Sequence, residues 1–216
     1  MKILVIRLSS IGDIVLTTPV LRCIKIKYPH AEIHYCTKKN YVPLFEYNPY
    51  VNRIIPFEKS LKSLIWEIKK ESYDYVIDLH HNVRTLRIKL ALPNRTTVYS
   101  FRKMNIRKLI AVKFHKSTIL PRIHIVDRYM AACKNLDVKN DQRGLDYFFP
   151  PDFSVEPLPA NFSDRYIALV IGAQFQTKQL PISKLIEVCR KSPFKFVIVG
   201  GTEDMERGEK IASECP

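Results

Sequence analysis

The 216-residue sequence predicts an α/β protein of two doubly wound parallel sheets, the second of them incomplete. Three observations carry that prediction. Short apolar runs alternate with longer amphipathic segments along the chain, as repeated βαβ units do. A proline-rich stretch with Pro150, Pro151, Pro157 and Pro159 interrupts the alternation between Phe148 and Ser163. The pattern then restarts, and supplies two strands and two helices before Pro216.

Ile3–Leu8 is apolar except for Arg7, as expected of a strand buried on both faces. A helix is predicted over Ile14–Tyr28, opening after Gly12-Asp13 and ending at Tyr28-Pro29, because the residue before proline is pushed out of helical geometry. Glu32–Thr37 reads as the second strand, followed by a short helix near Tyr41–Tyr47 and a strand at Asn52–Phe57. Ser60–Glu71 places Leu61, Leu64, Ile65 and Ile68 on one stripe of a helix, with Trp66 expected in the core. Tyr75–Leu79 is a fourth buried strand. Weaker patterns predict helices near Thr85–Leu92, Ile106–Phe114 and Ile123–Leu136 and a strand at Thr97–Phe101, with His124 packing against or capping the last helix.

Residues 1–150 therefore read as one Rossmann-like domain, 151–163 as a linker, and 164–216 as the start of a second Rossmann-like domain. The second contributes strands at Tyr166–Ile171 and Phe194–Val199 and helices at Ile182–Lys191 and Met205–Ser213. Two strands cannot cover both faces of an open sheet, so this domain is read as truncated.

A formal net charge of +14 calls for a polyanionic partner: nucleic acid, phosphorylated sugar or an anionic membrane surface. The excess is concentrated. From Leu79 to Val126 there is no Asp or Glu, while Arg84, Arg87, Lys89, Arg95, Arg102, Lys103, Arg107, Lys108, Lys113, Lys116 and Arg122 all occur. A nucleic-acid-binding module is the weaker reading, because no aromatic RNP motif, zinc spacing or helix-turn-helix pattern accompanies the charge. The five cysteines lack CxxC or metal-ligand spacing and fit buried thiols in a reducing cytosol. No apolar run approaches the ~20 residues of a membrane span, so a soluble cytoplasmic protein without a metal site is expected.

The loop Arg7-Leu8-Ser9-Ser10-Ile11-Gly12-Asp13 joins the first strand to the first helix, at the carboxyl edge where open α/β sheets bind ligands. Taken alone, Asp13 is better read as a helix cap than as a catalyst, and the loop lacks a GxGxxG spacing. Lys178 alone would be a solvated lysine, and Glu203 and Asp204 alone would be acids opening a helix.

Four separated segments change that balance. RLSSIGDIVLTTPVL, YDYVIDLHHNVRT, HIVDRY and the pair GAQFQTKQLP and VIVGGTEDMERGEKIA resemble, in order, the heptosyltransferase family of ADP-heptose:lipopolysaccharide glycosyltransferases. The resemblance implies a GT-B fold and an inverting transfer in which Asp13 is the general base. It implies a nucleotide-sugar site using Gly12, Gln174, Thr177 and Lys178 for the diphosphate side, and Asp204, or else Glu203, for the ribose. It implies an anionic lipid A–core acceptor met by Ser10, His80, Arg84, Arg102 and Arg107, near the cytoplasmic face of the inner membrane. The co-substrate would be ADP-heptose, with no metal, no other cofactor and no nucleic acid. The family's D-[ST]-G-x-x-H-[LA]-A segment for the donor diphosphate does not occur in this sequence. A non-catalytic glycolipid-binding fragment is the alternative.

Overall fold

A computed structural model describes residues 1–215 except 116, 117, 119, 120, 156, 160, 161, 163, 164 and 174, and only the backbone of 105–108. The chain divides into two compact units, Met1–Phe153 and Ser154–Pro216.

The first unit is a five-stranded parallel sheet in the order β3-β2-β1-β4-β5. Its strands are β1 (Lys2–Ile6), β2 (Glu32–Lys38), β3 (Arg53–Phe57), β4 (Tyr75–Asp78) and β5 (Thr97–Ser100). Successive side chains of a strand point to opposite faces, and β1 shows it plainly. Ile3 and Val5 join one apolar cluster with Ile24, Tyr129 and Cys133, while Leu4 and Ile6 join the other with Leu64, Ile68 and Ile88. All four are fully buried. Helices α1 (Ile11–Val15), α2 (Thr18–Lys27), α3 (Leu61–Lys70), α4 (Val83–Leu90) and α6 (Ile125–Met130) supply these covers, and α5 (Asn105–Lys113) also belongs to the unit.

Three local differences separate the structure from the expected elements, and proline stands at two of them. The helix expected over Ile14–Tyr28 is two helices, α1 and α2. Pro19 has no N–H to give to the Val15 carbonyl, and the Thr18 hydroxyl donates to that oxygen instead, at 2.8 Å, while Thr17 Oγ1 donates to Ile14 O at 2.7 Å. The segment around Pro43 forms a 3₁₀ turn, Lys39–Leu44, in place of a helix at Tyr41–Tyr47. The helix expected to run to Leu136 changes after Met130 to a 3₁₀ turn, Ala131–Leu136.

Trp66 corrects the sequence reading. It stands 62% exposed on the outer side of α3, with the Lys70 ammonium 3.1 Å from its ring centroid, while Leu64 and Ile68 of the same helix are buried. The cation compensates for the missing apolar cover. His124 does cap α6, its Nδ1 accepting from Val126 N at 3.3 Å. The five cysteines are free and four are buried.

A buried clasp closes the unit. Arg22 of α2 is 1% exposed and grips Asp141 through Nε and a terminal nitrogen, both at 2.8 Å, Gly144 O at 2.9 Å, and Asp146. The guanidinium pulls the Asp141 carboxyl down to about 2.

The second unit pairs β6 (Tyr166–Val170) with β7 (Lys195–Val199) in parallel. Helices α7 (Ile182–Lys191) and α8 (Met205–Glu214) cover it through Leu185, Cys189 and Ile211, which pack with Ile171. Four of the five β6 residues remain exposed.

Candidate functional site

In the first unit β1 lies between β2, which follows it in sequence, and β4, which arrives later, so the strand order reverses between β1 and β4. Ligands of doubly wound sheets bind outside the carboxyl ends of the strands at such a switch point. The loop after β1 and the turn after β4 bring Asp13 and His80 there.

Asp13 occupies the third position of α1, yet its carboxylate does not cap the helix. Its Oδ2 meets the Arg7 guanidinium at 2.6 Å and accepts from the Ser10 hydroxyl at 3.2 Å, and Tyr129 Oη donates to Oδ1 at 3.5 Å. The carboxylate keeps 39% of its side-chain surface open, against 9% for Arg7. Arg7 donates to Leu79 O at 2.7 Å and lies 5.6 Å from the Tyr129 ring centroid, so it is anchored to β4 and α6 as well. Burial pushes the Tyr129 phenol up to about 12, which keeps it a donor at neutral pH.

The turn after β4 is organised by Asp78, which is fully buried. Its Oδ1 accepts from the backbone N–H of His80 at 3.0 Å and of His81 at 2.7 Å, and its Oδ2 pairs with Lys89 at 2.9 Å. His81 takes a left-handed φ of 49°, a conformation these two hydrogen bonds support. His80 is held down to about 4, by burial first and then by the charges of Arg7 and Lys103, so its imidazole is neutral at pH 7. Among the described residues His80 Nδ1 and Arg7 Nε are buried without a hydrogen-bond partner, polar capacity left over beside Asp13.

Gly12 needs neither a positive φ nor close packing: a Cβ there would meet nothing within 4 Å. Nothing in the fold requires glycine at that point. Arg84 is exposed in the first turn of α4, and Arg102 is exposed just after β5. Arg107 lies in the first turn of α5, where side chains are outside the described residues.

In the second unit the loop after β6 and the loop after β7 meet. A Cβ on Gly172 would lie 2.0 Å from Asp204 Oδ2, and one on Gly200 would lie 2.8 Å from Asp204 Cβ, so both glycines permit the carboxylate's close approach. Asp204 is 7% exposed and accepts from Gly201 N at 3.1 Å. It is committed to holding this turn, and the neighbouring Glu203 is the exposed carboxylate. Thr177 and Lys178 are exposed in a 3₁₀ turn, Gln176–Lys178, and Gln174 lies outside the described residues. Arg207 of α8 fixes the same loop, donating to Gln179 Oε1 at 2.8 Å and to Leu180 O, while Gln179 Nε2 donates to Ala173 O at 2.8 Å.

The sequence reading passed over Arg7, Asp78, Tyr129 and Arg207. A signal existed for Arg7, since a guanidinium inside a buried strand demands an anionic or carbonyl partner. Among the described residues no group of three or more His, Cys, Asp or Glu is placed to hold a metal ion.

No protein-family model matches the chain. Over 208 residues it is 25% identical to lipopolysaccharide heptosyltransferase 1 of Campylobacter coli, covering 88% of this chain and 60% of that protein. Over 226 aligned positions it is 27% identical to lipopolysaccharide heptosyltransferase 3 of Escherichia coli K12, covering 94% of this chain and 65% of that protein. The chain thus spans somewhat under two thirds of these relatives. Among solved structures, a glycosyl transferase family 9 protein from Veillonella parvula superposes with a TM-score of 0.72 at 22% identity, over all of this chain and 67% of that one. The E. coli heptosyltransferase WaaC with ADP-2-deoxy-2-fluoro heptose gives 0.68 at 19%, over all of this chain and 74% of that one. At such identities the structures speak for the fold, and it is the two-unit GT-B class expected from the sequence. Sequence similarity along nearly the whole chain, joined to that fold, makes the protein similar to the lipopolysaccharide heptosyltransferases.

Proposed function

We propose that this chain carries the acceptor-binding half, and the opening of the donor half, of an inverting glycosyltransferase that moves a heptose from ADP-heptose to an anionic lipopolysaccharide core acceptor. The observation behind the proposal is the Asp13 carboxylate: open to solvent at the switch point, held by Arg7 and not used as a helix cap. The relatives named as lipopolysaccharide heptosyltransferases, and a neighbour solved with an ADP-heptose analogue, supply the donor and acceptor class.

In the proposed step the acceptor hydroxyl donates to Asp13. Its oxygen bonds to the anomeric carbon as the bond from that carbon to the diphosphate oxygen breaks, the proton passes to Asp13, and ADP leaves with the electron pair. Proton transfer concerted with bond formation suits a positioned carboxylate. Arg7, Ser10 and Tyr129 fix the direction in which that carboxylate faces. The open space at Gly12 admits substrate to the loop backbone. On the donor side Lys178 and Thr177 meet the growing negative charge of the diphosphate, and Glu203, more accessible than Asp204, takes the ribose hydroxyls. His80, Arg84, Arg102 and Arg107 serve the acceptor's phosphates and acidic sugars. The protein would work at the cytoplasmic face of the inner membrane.

Incubating the protein with ADP-heptose and a Kdo–lipid A acceptor and following ADP release tests this. Asp13→Asn should slow release by about 10²–10⁴-fold; release at an unchanged rate removes Asp13 as base. A second reading is non-catalytic binding of anionic glycolipid. It predicts acceptor binding with no ADP release.

A further inference from the structure

A charge pair is closed off from water where β4 and β5 end. Val76 of β4 belongs to the apolar cluster that holds Ile88 of α4, and side chains two apart on a strand share a face, so Asp78 points toward α4 as well. Across the register from Asp78 stands Ser100, the last residue of β5. The ammonium of Lys89, the residue after Ile88, spans that rung. It lies 2.9 Å from Asp78 Oδ2 and donates to Ser100 Oγ at 3.0 Å, with the Lys89 side chain 15% exposed and that of Asp78 fully buried. Among the described residues no hydrogen bond reaches Asp78 Oδ2, and the cation that faces it is Lys89.

Apolar side chains in place of a buried ion pair are often neutral or better for stability, so the pair is poorly explained as a brace. What hangs on it gives it another use. Asp78 Oδ1 holds the N–H groups of His80 and His81, the turn that sets the His80 imidazole beside Asp13. Phe101, which follows Ser100, donates its N–H to Asp78 O at 2.8 Å and packs edge-on against Tyr129 with 4.9 Å between ring centroids, and Tyr129 reaches Asp13. Arg128 lies 4.8 Å from the Phe101 ring centroid and donates to Arg102 O at 3.0 Å. The strand ends that carry His80 and Arg102 are therefore tied together at one ammonium.

We infer that Lys89 is a positioning residue for acceptor binding, acting through Asp78 on the His80-His81 turn and through Ser100 on the exit of β5. The inference rests on the acceptor reading above and names a residue on which that site depends. Hydrogen bonds to a charged acceptor are roughly twice as strong as neutral ones, and the two backbone N–H groups of the turn draw on the Asp78 carboxylate in this way. Without the ammonium that carboxylate is a buried charge with no counter-ion, and the turn it holds loosens.

Amide hydrogen exchange and affinity for a Kdo–lipid A acceptor, both measured on the whole chain, test this together. In Lys89→Met the His80 and His81 amides should exchange at least about tenfold faster than in the wild type, while the Val76 and Ile77 amides inside β4 keep their rates. The acceptor Kd should rise by about tenfold. Lys89→Arg, which keeps the charge, should recover most of both. Should Lys89→Met fail to fold, Lys89→Met combined with Asp78→Asn takes its place, because it leaves no unpaired charge. A neutral amide oxygen accepts more weakly, so the two amides should still exchange faster and acceptor affinity should still fall. Wild-type affinity in that double variant would make the pair a brace and overturn the inference, as would faster exchange at His80 and His81 with affinity unaltered. A wild type that neither binds the acceptor nor releases ADP from ADP-heptose removes the functional reading and the inference with it. A wild type that binds, beside a Lys89→Met variant that binds as well, removes the inference alone.

Discussion

The two units follow the same alternation of strand and helix and bury it very differently. In the first, β1 has a strand on each side and helices over both faces, and Ile3 through Ile6 are sealed from water. In the second, β6 is as apolar as β1, yet Tyr166, Ile167 and Val170 stay open and α7 and α8 supply one small cluster. Apolar patterning therefore records what a strand is suited to bury, while its neighbours decide what it does bury. The second unit should be the weaker of the two, opening locally at a lower free energy than the first.

The comparison can be broken most forcefully at Arg22. Arg22→Leu leaves the Asp141 and Asp146 carboxylates in part-buried surroundings without their cation, and should cost the first unit about 3–5 kcal/mol. Chemical denaturation followed by far-ultraviolet circular dichroism should show that loss in the first unit's transition and leave the second unit's in place. A matched pair of core truncations sharpens the contrast. Ile77→Ala, at a fully buried position of β4, should cost about 2–5 kcal/mol, whereas Ile198→Ala in the partly open β7 should cost clearly less. Equal losses would mean the second unit is as tightly packed as the first.

Acid should act on the first unit in two windows. The Asp141 carboxyl sits near 2 when folded, below its ordinary 3.8, so its contribution is complete above that ordinary value and fades as pH falls toward 2. His80 sits near 4, below 6.5, so between those values the unfolded chain binds the extra proton and stability rises with pH. His80→Gln should flatten the stability–pH curve between about pH 4 and 6.5, measured by thermal melts, and leave the lower window to Asp141. The smallest effect belongs to Trp66→Phe, which should stay within about 0.5 kcal/mol because the indole is exposed. Native fluorescence should report a solvated indole before any unfolding begins.

Much of the fold was legible because parallel strands buried on both faces are written as uninterrupted apolar runs, and β1, β2 and β4 fall within two residues of the predicted limits. The break between α1 and α2 was written in Thr17-Thr18-Pro19, where the Thr18 hydroxyl stands ready to take the carbonyl that proline strands, but amphipathic spacing across it masked the signal. Trp66 misled because large aromatic area suggests burial, and the lysine one turn later that covers its ring is invisible to a hydrophobic stripe. Of the candidate site, Ser10 and Asp13 were placed by the loop motif and are in contact. Tyr129 was missed because it reaches the Asp13 carboxylate from more than a hundred residues along the chain, and Arg7, though within the loop motif, was passed over as a mere break in an apolar strand. That the backbone of Gly201 captures Asp204 and leaves Glu203 exposed is a matter of turn geometry that residue type cannot convey.

The clasp on Arg22 also sets an order of events during synthesis. Its partners at Asp141, Gly144 and Asp146 come well over a hundred residues after it and just before the boundary at Phe153. While the ribosome is still making α5 or α6, α2 carries an unanswered guanidinium, and the first unit cannot seal. Once residue 146 has cleared the exit tunnel the last tie can form, before most of the second unit has emerged. The nascent chain thus carries its own completion mark, a charge that stays bare until the whole first unit has been delivered.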